Sequence, residues 1–367
     1  MKKKVVLHSK YISFSGTDKV VQSFYRHLMN SDQYEPYILY RDGILTERLS
    51  VVSSWFNGKN LIPYTWIPGK RGKQHPYIPE ESNFVDKLQE IKPDIVHVHN
   101  AGTAEWPCFK SLYSEAKWIN HNIFGYTDVQ KYVDYSIYIC NTIQELAINN
   151  HFGKSGSMLY NPIEQPLCTD TLAARSILIN KYGLPDNAFI LGRVGRADNF
   201  TDISLKAFQL IERQFPHVYY LVVNPCHQWT SFAKNNGIQN VRFVDTIIDD
   251  LGMSQFYSGI DVLAHARDDG ECNSVVIGEA MMHGVPVVTH YTSGYNGQAE
   301  SVAGVGFCVP KNDYFAYADV LIKLISDKKL LMEFSAKSRR KAMLFTEASF
   351  ITSLLEKIYD HVLSNPQ

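Results

Sequence analysis

Short apolar runs alternate with longer amphipathic stretches along the whole chain. That alternation is the pattern of repeated βαβ units, in which parallel strands buried on both faces are joined by helices. Residues 5–7, 37–40, 95–98, 118–120 and 135–140 predict the strands of a first parallel sheet. Residues 189–194, 219–223, 241–244, 261–264, 285–289 and 306–309 predict a second. Between the two series Pro162 and Pro166 interrupt any periodic element, which predicts an interdomain hinge around Asn161. From Phe345 to Leu363 apolar residues recur at helical spacing, so a terminal helix is expected.

A chain of 367 residues exceeds one ordinary core, which agrees with two domains. At 45% hydrophobic and 20% charged residues it can bury such cores. With 36 Lys plus Arg against 37 Asp plus Glu there is no global field to favour nucleic acid or an acidic membrane, and any anionic ligand must be held locally. The start Met1-Lys2-Lys3-Lys4 is followed by an apolar run that ends at His8, so it reads as a first strand and not a signal peptide. No apolar stretch is long enough to cross a bilayer, and a soluble, cytoplasmic protein with at most peripheral membrane association is expected. The six cysteines lie far apart without a CxxC pair, the usage of reduced thiols and not of a zinc site.

The segment from Asp268 to Val288 carries the most chemistry. It places Glu271 in a loop and Glu279 inside the following helix, seven residues apart, then runs through Gly284 and Pro286 into an apolar strand. Such an arrangement suits a polyhydroxylated, phosphate-bearing ligand at the C-terminal edge of a parallel sheet, with Glu271 facing a sugar and Glu279 accepting from a ribose diol. The same spacing also describes an amphipathic helix with a solvated Glu at its middle. Asn273 and Ser274 precede that helix, and their backbone donors would stabilise a leaving diphosphate. Arg193 and Arg196 close a strand, and Arg196, nearer the crevice, is the better candidate to clamp the diphosphate. Asp268-Asp269 lacks the intervening residue of a DxD motif, so no metal is expected.

In the first half, Ser15-Gly16-Thr17 opens a helix directly after the first strand. It offers either bare N–H groups to an anion or an ordinary N-cap. His97 and His99 alternate along one strand and share a face, and packed core histidines are the expected reading for at least one. His121 ends the next strand and is the candidate for contact with a substrate hydroxyl in the crevice beyond the strand ends. The basic loop from Trp66 to Lys73 is either solvated surface or a contact for an anionic or lipid-linked acceptor.

Together these residues resemble the retaining glycosyltransferases of family four. The resemblance rests on the Glu-x7-Glu pair Glu271 and Glu279 running into Glu-Ala-Met-x-x-Gly-x-Pro-Val-Val, on Ser-Gly-Thr-Asp-Lys-Val-Val near the start, on Pro-Asp-Ile-Val-His-Val-His, on the Gly195-Arg196 turn and on the Asn161 hinge. The matches follow the family's order over nearly the whole chain. The resemblance implies an α/β protein of the GT-B fold, two Rossmann-like domains with parallel sheets facing across a cleft. It implies an acceptor-binding domain over 1–162, a nucleotide-sugar-binding domain over 163–345 and a helix over 346–367 that crosses back to the first domain. By it, Glu271 and His121 are the catalytic residues, Glu279 binds the ribose, Arg196 the phosphates, and Gly16 approaches the donor phosphates or the acceptor. The implied reaction moves a sugar from a nucleoside diphosphate sugar to a hydroxyl of a glycan, lipid-linked or protein-linked acceptor, with retention and without a metal or other cofactor. Two departures stand out. Cys272-Asn273-Ser274 replaces the family's Gly-Phe-Gly, and no Lys follows Arg196 at five positions, Lys206 being the nearest. They leave open a nucleotide-sugar epimerase on the same fold, or a glycan- or nucleotide-binding protein without activity.

Overall fold

The computed structural model describes residues 1–42, 47–55, 59–69, 79–100, 106–107, 109–123, 132–149 and 156–365. The chain divides into two compact units, Met1–Pro162 with Ala348–Gln367, and Ile163–Glu347.

In the first unit the chain runs β1 (Lys3–Ser9), α1 (Gly16–Leu28), β2 (Tyr34–Arg41), α2 (Glu47–Trp55), β3 (Leu61–Tyr64), β4 (Trp66–Pro68), β5 (Pro79–Ser82), α3 (Phe84–Ile91), β6 (Ile95–Asn100), β7 (Lys117–Asn122), β8 (Tyr135–Tyr138), α4 (Asn141–Asn149) and β9 (Gly156–Met158). Seven of these strands form one sheet in the order β3-β2-β1-β6-β7-β8-β9, and every pairing in it is parallel. Val5, Val6, Leu7, Ile95, Val96 and Val98 are fully buried, as expected for strands covered on both faces. The five strands read from the sequence are all present. Two edge strands, β3 and β9, and the antiparallel pair β4–β5 are additions to that reading.

The second unit continues with α5 (Thr171–Tyr182), β10 (Phe189–Arg193), α6 (Ile203–Gln214), β11 (Val218–Val223), α7 (His227–Asn235), β12 (Val241–Val244), α8 (Asp250–Gly259), β13 (Val262–Ala264), β14 (Gly270–Glu271), α9 (Val275–Met282), β15 (Val287–His290), β16 (Tyr295–Asn296), α10 (Gly297–Val302), β17 (Phe307–Val309), α11 (Tyr314–Ser326) and α12 (Lys328–Phe345). Its six-stranded sheet has the order β12-β11-β10-β13-β15-β17, again parallel throughout. Strand order reverses between β10 and β13, which makes the C-terminal ends of these two strands the mouth of a crevice of the doubly wound kind. Two apolar layers flank the sheet, one around Phe256, Ile277 and Met282, the other around Phe208, Trp229 and Leu321.

The final helix, α13 (Ala348–Ser364), belongs to the first unit. Tyr34 Oη donates to Asp360 at 2.6 Å, and Tyr359 Oη meets His97 Nδ1 at 2.8 Å. Among the described residues no helix is long and apolar enough to cross a membrane, and the five described cysteines form no disulfide. Cys108 and the basic residues Lys70, Arg71 and Lys73 lie outside the described residues.

Candidate active site

The mouth between β10 and β13 is built from the segments that leave those strands. After β13 the chain passes His265 and Arg267 and reaches the two-residue strand β14, which pairs in parallel with β16 at Gly270↔Tyr295 and Glu271↔Asn296. The Glu271 N–H donates to Gln298 Oε1 at 2.9 Å, while Gln298 Nε2 donates to the His290 carbonyl at 3.0 Å. Glu271 is thereby anchored through its backbone to the end of β15.

Its side chain is held from two directions. His265 Nε2 lies 3.3 Å from Oε1 and Arg267 donates to Oε2 at 3.1 Å. A carboxylate only accepts, so His265 carries its proton on Nε2, and Nδ1 accepts from Thr289 Oγ1 at 3.1 Å. The result is a polar chain Thr289–His265–Glu271–Arg267, with Arg267 also bonded to Asp269 at 2.6 Å. Burial alone would push the Glu271 carboxyl up. The contacts from His265 and Arg267 together outweigh it and hold the group below the usual glutamate value. Glu271 is therefore an ionised, immobilised carboxylate at neutral pH.

Ser274 caps α9, its Oγ accepting from the Ile277 N–H at 3.3 Å, and its side chain also bonds Glu271. Asn273 lies half-buried beside it. Glu279 sits in the second turn of α9 and accepts from Tyr257 Oη at 3.0 Å. It is a half-buried, bonded carboxylate, which differs from the alternative of a solvated mid-helix Glu.

The two arginines take different places. β10 ends at Arg193. The Arg193 side chain is buried beneath the following turn, over the Trp229 ring, and donates to the Arg196 carbonyl at 3.1 Å and the Asn199 carbonyl at 3.3 Å. It braces that turn and does not reach a ligand. Arg196 has a side chain 66% exposed and folds onto Asp198, with Nε donating at 2.9 Å. An exposed pair of this kind is weak, so Arg196 can exchange Asp198 for a stronger anion. Lys206, the nearest substitute for the absent family Lys, pairs with Asp202 at 2.7 Å. The cation sequence reasoning missed is Arg267, whose charge is felt at both Arg196 and Asp198. Its position four residues before Glu271, with His265 six before, was the available signal.

In the first unit Gly16 is exposed at the start of α1. Ser15 Oγ accepts from the Asp18 N–H, and the buried Asp18 carboxylate accepts from the hydroxyls of Ser9 (3.2 Å), Ser15 (2.9 Å) and Ser13. Ser15 is thus the N-cap of α1. His121 lies inside β7, not beyond its end. Its ring is 1% exposed and packs with His97, His99 and Phe24. Burial holds its pKa down, at about 4.

The chain is 24% identical over 197 residues to a phosphatidyl-myo-inositol mannosyltransferase of Mycobacterium leprae (strain TN), covering 53% of this chain and 52% of that relative. The match thus spans about half the length of each. Three solved structures share the fold over nearly the whole chain. Anabaena HepE in complex with UDP-glucose superposes with a TM-score of 0.77 at 14% identity, covering 98% of this chain and 99% of that one. A glycosyltransferase from Rickettsia africae ESF-5 gives 0.77 at 14% identity over 100% of both chains. Sucrose-phosphate synthase from Thermosynechococcus elongatus gives 0.71 at 16% identity, over 99% and 100%. The two parallel Rossmann-like units are those of a GT-B fold, and residues 186–327, which contain Arg196, Arg267, Glu271 and Glu279, match the family model of glycosyl transferases group 1.

Proposed function

We propose that this chain transfers a sugar from a nucleoside diphosphate sugar to a hydroxyl of a glycan, lipid-linked or protein-linked acceptor, with retention of anomeric configuration. The observation that carries the reading is Glu271, ionised and clamped between His265 and Arg267 at the sheet's switch point, inside the group 1 domain. The relatives whose names state a mannosyltransferase or a UDP-glucose complex support a nucleotide-sugar donor.

In this reading the second unit holds the donor. Glu279, oriented by Tyr257, takes the ribose diol. The diphosphate lies near Arg196 and Arg267, with the amides of Asn273 and Ser274 at the start of α9 as further donors. Each charge-assisted bond to the diphosphate contributes about 1.5–3 kcal/mol. Two arginines serve here in place of a metal. As the bond to the diphosphate breaks, positive charge grows on the sugar, and the Glu271 carboxylate stabilises it while the acceptor hydroxyl attacks from the leaving-group face and passes its proton to the departing diphosphate oxygen. The first unit binds the acceptor, and the protein works in the cytoplasm. Because its ring is buried, His121 is left out of the transfer step.

A thermal-shift panel of nucleotides and nucleotide sugars identifies the donor, since a ligand at a hundredfold excess over its Kd adds about 2.7 kcal/mol. Release of nucleoside diphosphate from that donor is then followed with and without acceptor. Glu271→Gln is expected to bind the donor and lose most turnover, and wild-type turnover in this variant rejects the assignment. Conversion of the donor sugar without acceptor would mark an epimerase, and binding of donors without any turnover a binding protein.

A further inference from the structure

The first unit buries three histidines that the transfer reaction leaves unused. His97 and His99 project from the same face of β6, and His99 stands directly opposite His121 on β7. One ring nitrogen from each lies within 4.8 Å of the other two. All three rings are at most 3% exposed, and burial holds each one's pKa down, so all are neutral with lone pairs available. Packing alone does not account for them. Both ring nitrogens of His99 have no well-aligned hydrogen-bond partner, the mark of a ligand that completes the site.

We propose that His97, His99 and His121 bind a borderline divalent transition metal of the zinc class. His97 Nε2 and His121 Nδ1 stand 3.3 Å apart. Two imidazole nitrogens on a tetrahedral zinc, with bonds of 2.0–2.1 Å, are also separated by about 3.3 Å. On the far side of the His97 ring Nδ1 meets Tyr359 Oη at 2.8 Å, the outer partner that fixes a ligand's tautomer and leaves Nε2 bare for the ion. His99 and His121 stack at 22°, so the His99 ring turns about its Cβ–Cγ bond to complete the triangle. The fourth position takes water or a small anion, which offsets the buried positive charge. Through Tyr359 the ion links the central strands of the first sheet to α13.

The test uses the full chain without a histidine tag, stripped with a chelator and titrated with Co2+, then with Zn2+ in competition. Expected are one equivalent per chain and the intense visible bands of tetrahedral cobalt. His99→Gln should weaken binding at least tenfold, and Tyr359→Phe about 10–100-fold, as for other outer partners of metal ligands. His227→Gln, at an exposed site, should leave it unchanged. Near-ultraviolet circular dichroism checks that each variant is folded. Weak octahedral bands, substoichiometric uptake, or unaltered affinity in folded His99→Gln would overturn the proposal.

Discussion

Replacing Gly270 by alanine tests whether the short β14–β16 ladder sets the position of Glu271. Gly270 has φ +76°, and a Cβ built on it would lie 1.8 Å from the Tyr295 carbonyl oxygen and 2.6 Å from Thr292 Oγ1. Real Cβ contacts essentially never fall under 3.0 Å, so the ladder must open by about 1.2 Å. The obstacle is backbone, which cannot rotate away. Gly304 supplies the control, with φ +75° and nothing within 4 Å of its Cβ. Gly304→Ala should show the left-handed backbone term alone, about 1–2 kcal/mol. Gly270→Ala adds overpacking of about 1–3 kcal/mol, for a total of roughly 2–5 kcal/mol. A displacement near 1 Å at the reacting carboxylate should lower turnover about a hundredfold. Calorimetric unfolding of both variants measures the first quantity, and nucleoside diphosphate release from the donor the second. If the two variants lose equal stability and Gly270→Ala turns over at the wild-type rate, the ladder does not position Glu271.

Three further substitutions in the same unit have defined outcomes. Arg267→Met removes one of the groups that hold the Glu271 carboxyl below its usual value, so that value rises and the acid limb of the kcat/KM profile should move to higher pH; an unmoved limb would mean that Glu271 does not control it. The corresponding stability is present above the unfolded carboxyl pKa of about 4.3 and is lost as pH falls through the folded value, so acid unfolding of Arg267→Met should begin at higher pH than in the wild type. Tyr257→Phe frees Glu279 Oε2 from its buried donor and should raise the donor KM several-fold with little change in kcat, as steady-state kinetics on the purified variant would show. Arg175→Met breaks the 3.0 Å pair with Asp261, which also accepts from the Ile190 N–H. Because both side chains are about one-quarter exposed, the expected loss is near 3 kcal/mol, the low end of the range for buried pairs, read from urea unfolding.

The strands legible in the sequence are those in the middle of each sheet. Their apolar runs are continuous because both faces are covered, and this signal survives without an alignment. β3 escaped it because Pro63 sits within a half-buried edge strand, and β9 because Gly156-Ser157-Met158 is neither long nor apolar. β14 and β16 have two residues each, too few to show any period. In the sequence the site showed as a pair of acids at a fixed spacing, with Asn273 and Ser274 read as backbone donors ahead of the helix; that Ser274 caps α9 came only from the structure. What surrounds Glu271 was not, since His265, Thr289 and Gln298 come together only through the pairing of β13 with β15 and the return of α10 beneath them. Arg196 was preferred to Arg193 as the later residue, nearer the crevice. That Arg193 would be buried beneath the turn was not legible, because the strand stops at Arg193 and the chain turns back over its side chain.

The state of Glu271 constrains the chemistry more than its identity does. A carboxyl with a raised pKa could protonate a leaving group, and in many glycosyl-processing sites one of two acids is kept neutral for that purpose. Here the bonds from His265 and Arg267 oppose burial and win, so the group is ionised and has no proton to give. A leaving diphosphate needs none from it, because its charge is stable in water and, in the proposed reading, is met by Arg196 and the amides ahead of α9. An anion fixed on both oxygens is also poorly free to swing in as a nucleophile. The role left to it is to stand still beside a centre that becomes positive, and its effectiveness then depends on how little its surroundings reorganise during the reaction. Loosening the clamp at Arg267 should therefore lower turnover even at a pH where Glu271 remains fully ionised, a loss that a purely titrational role for the arginine does not produce.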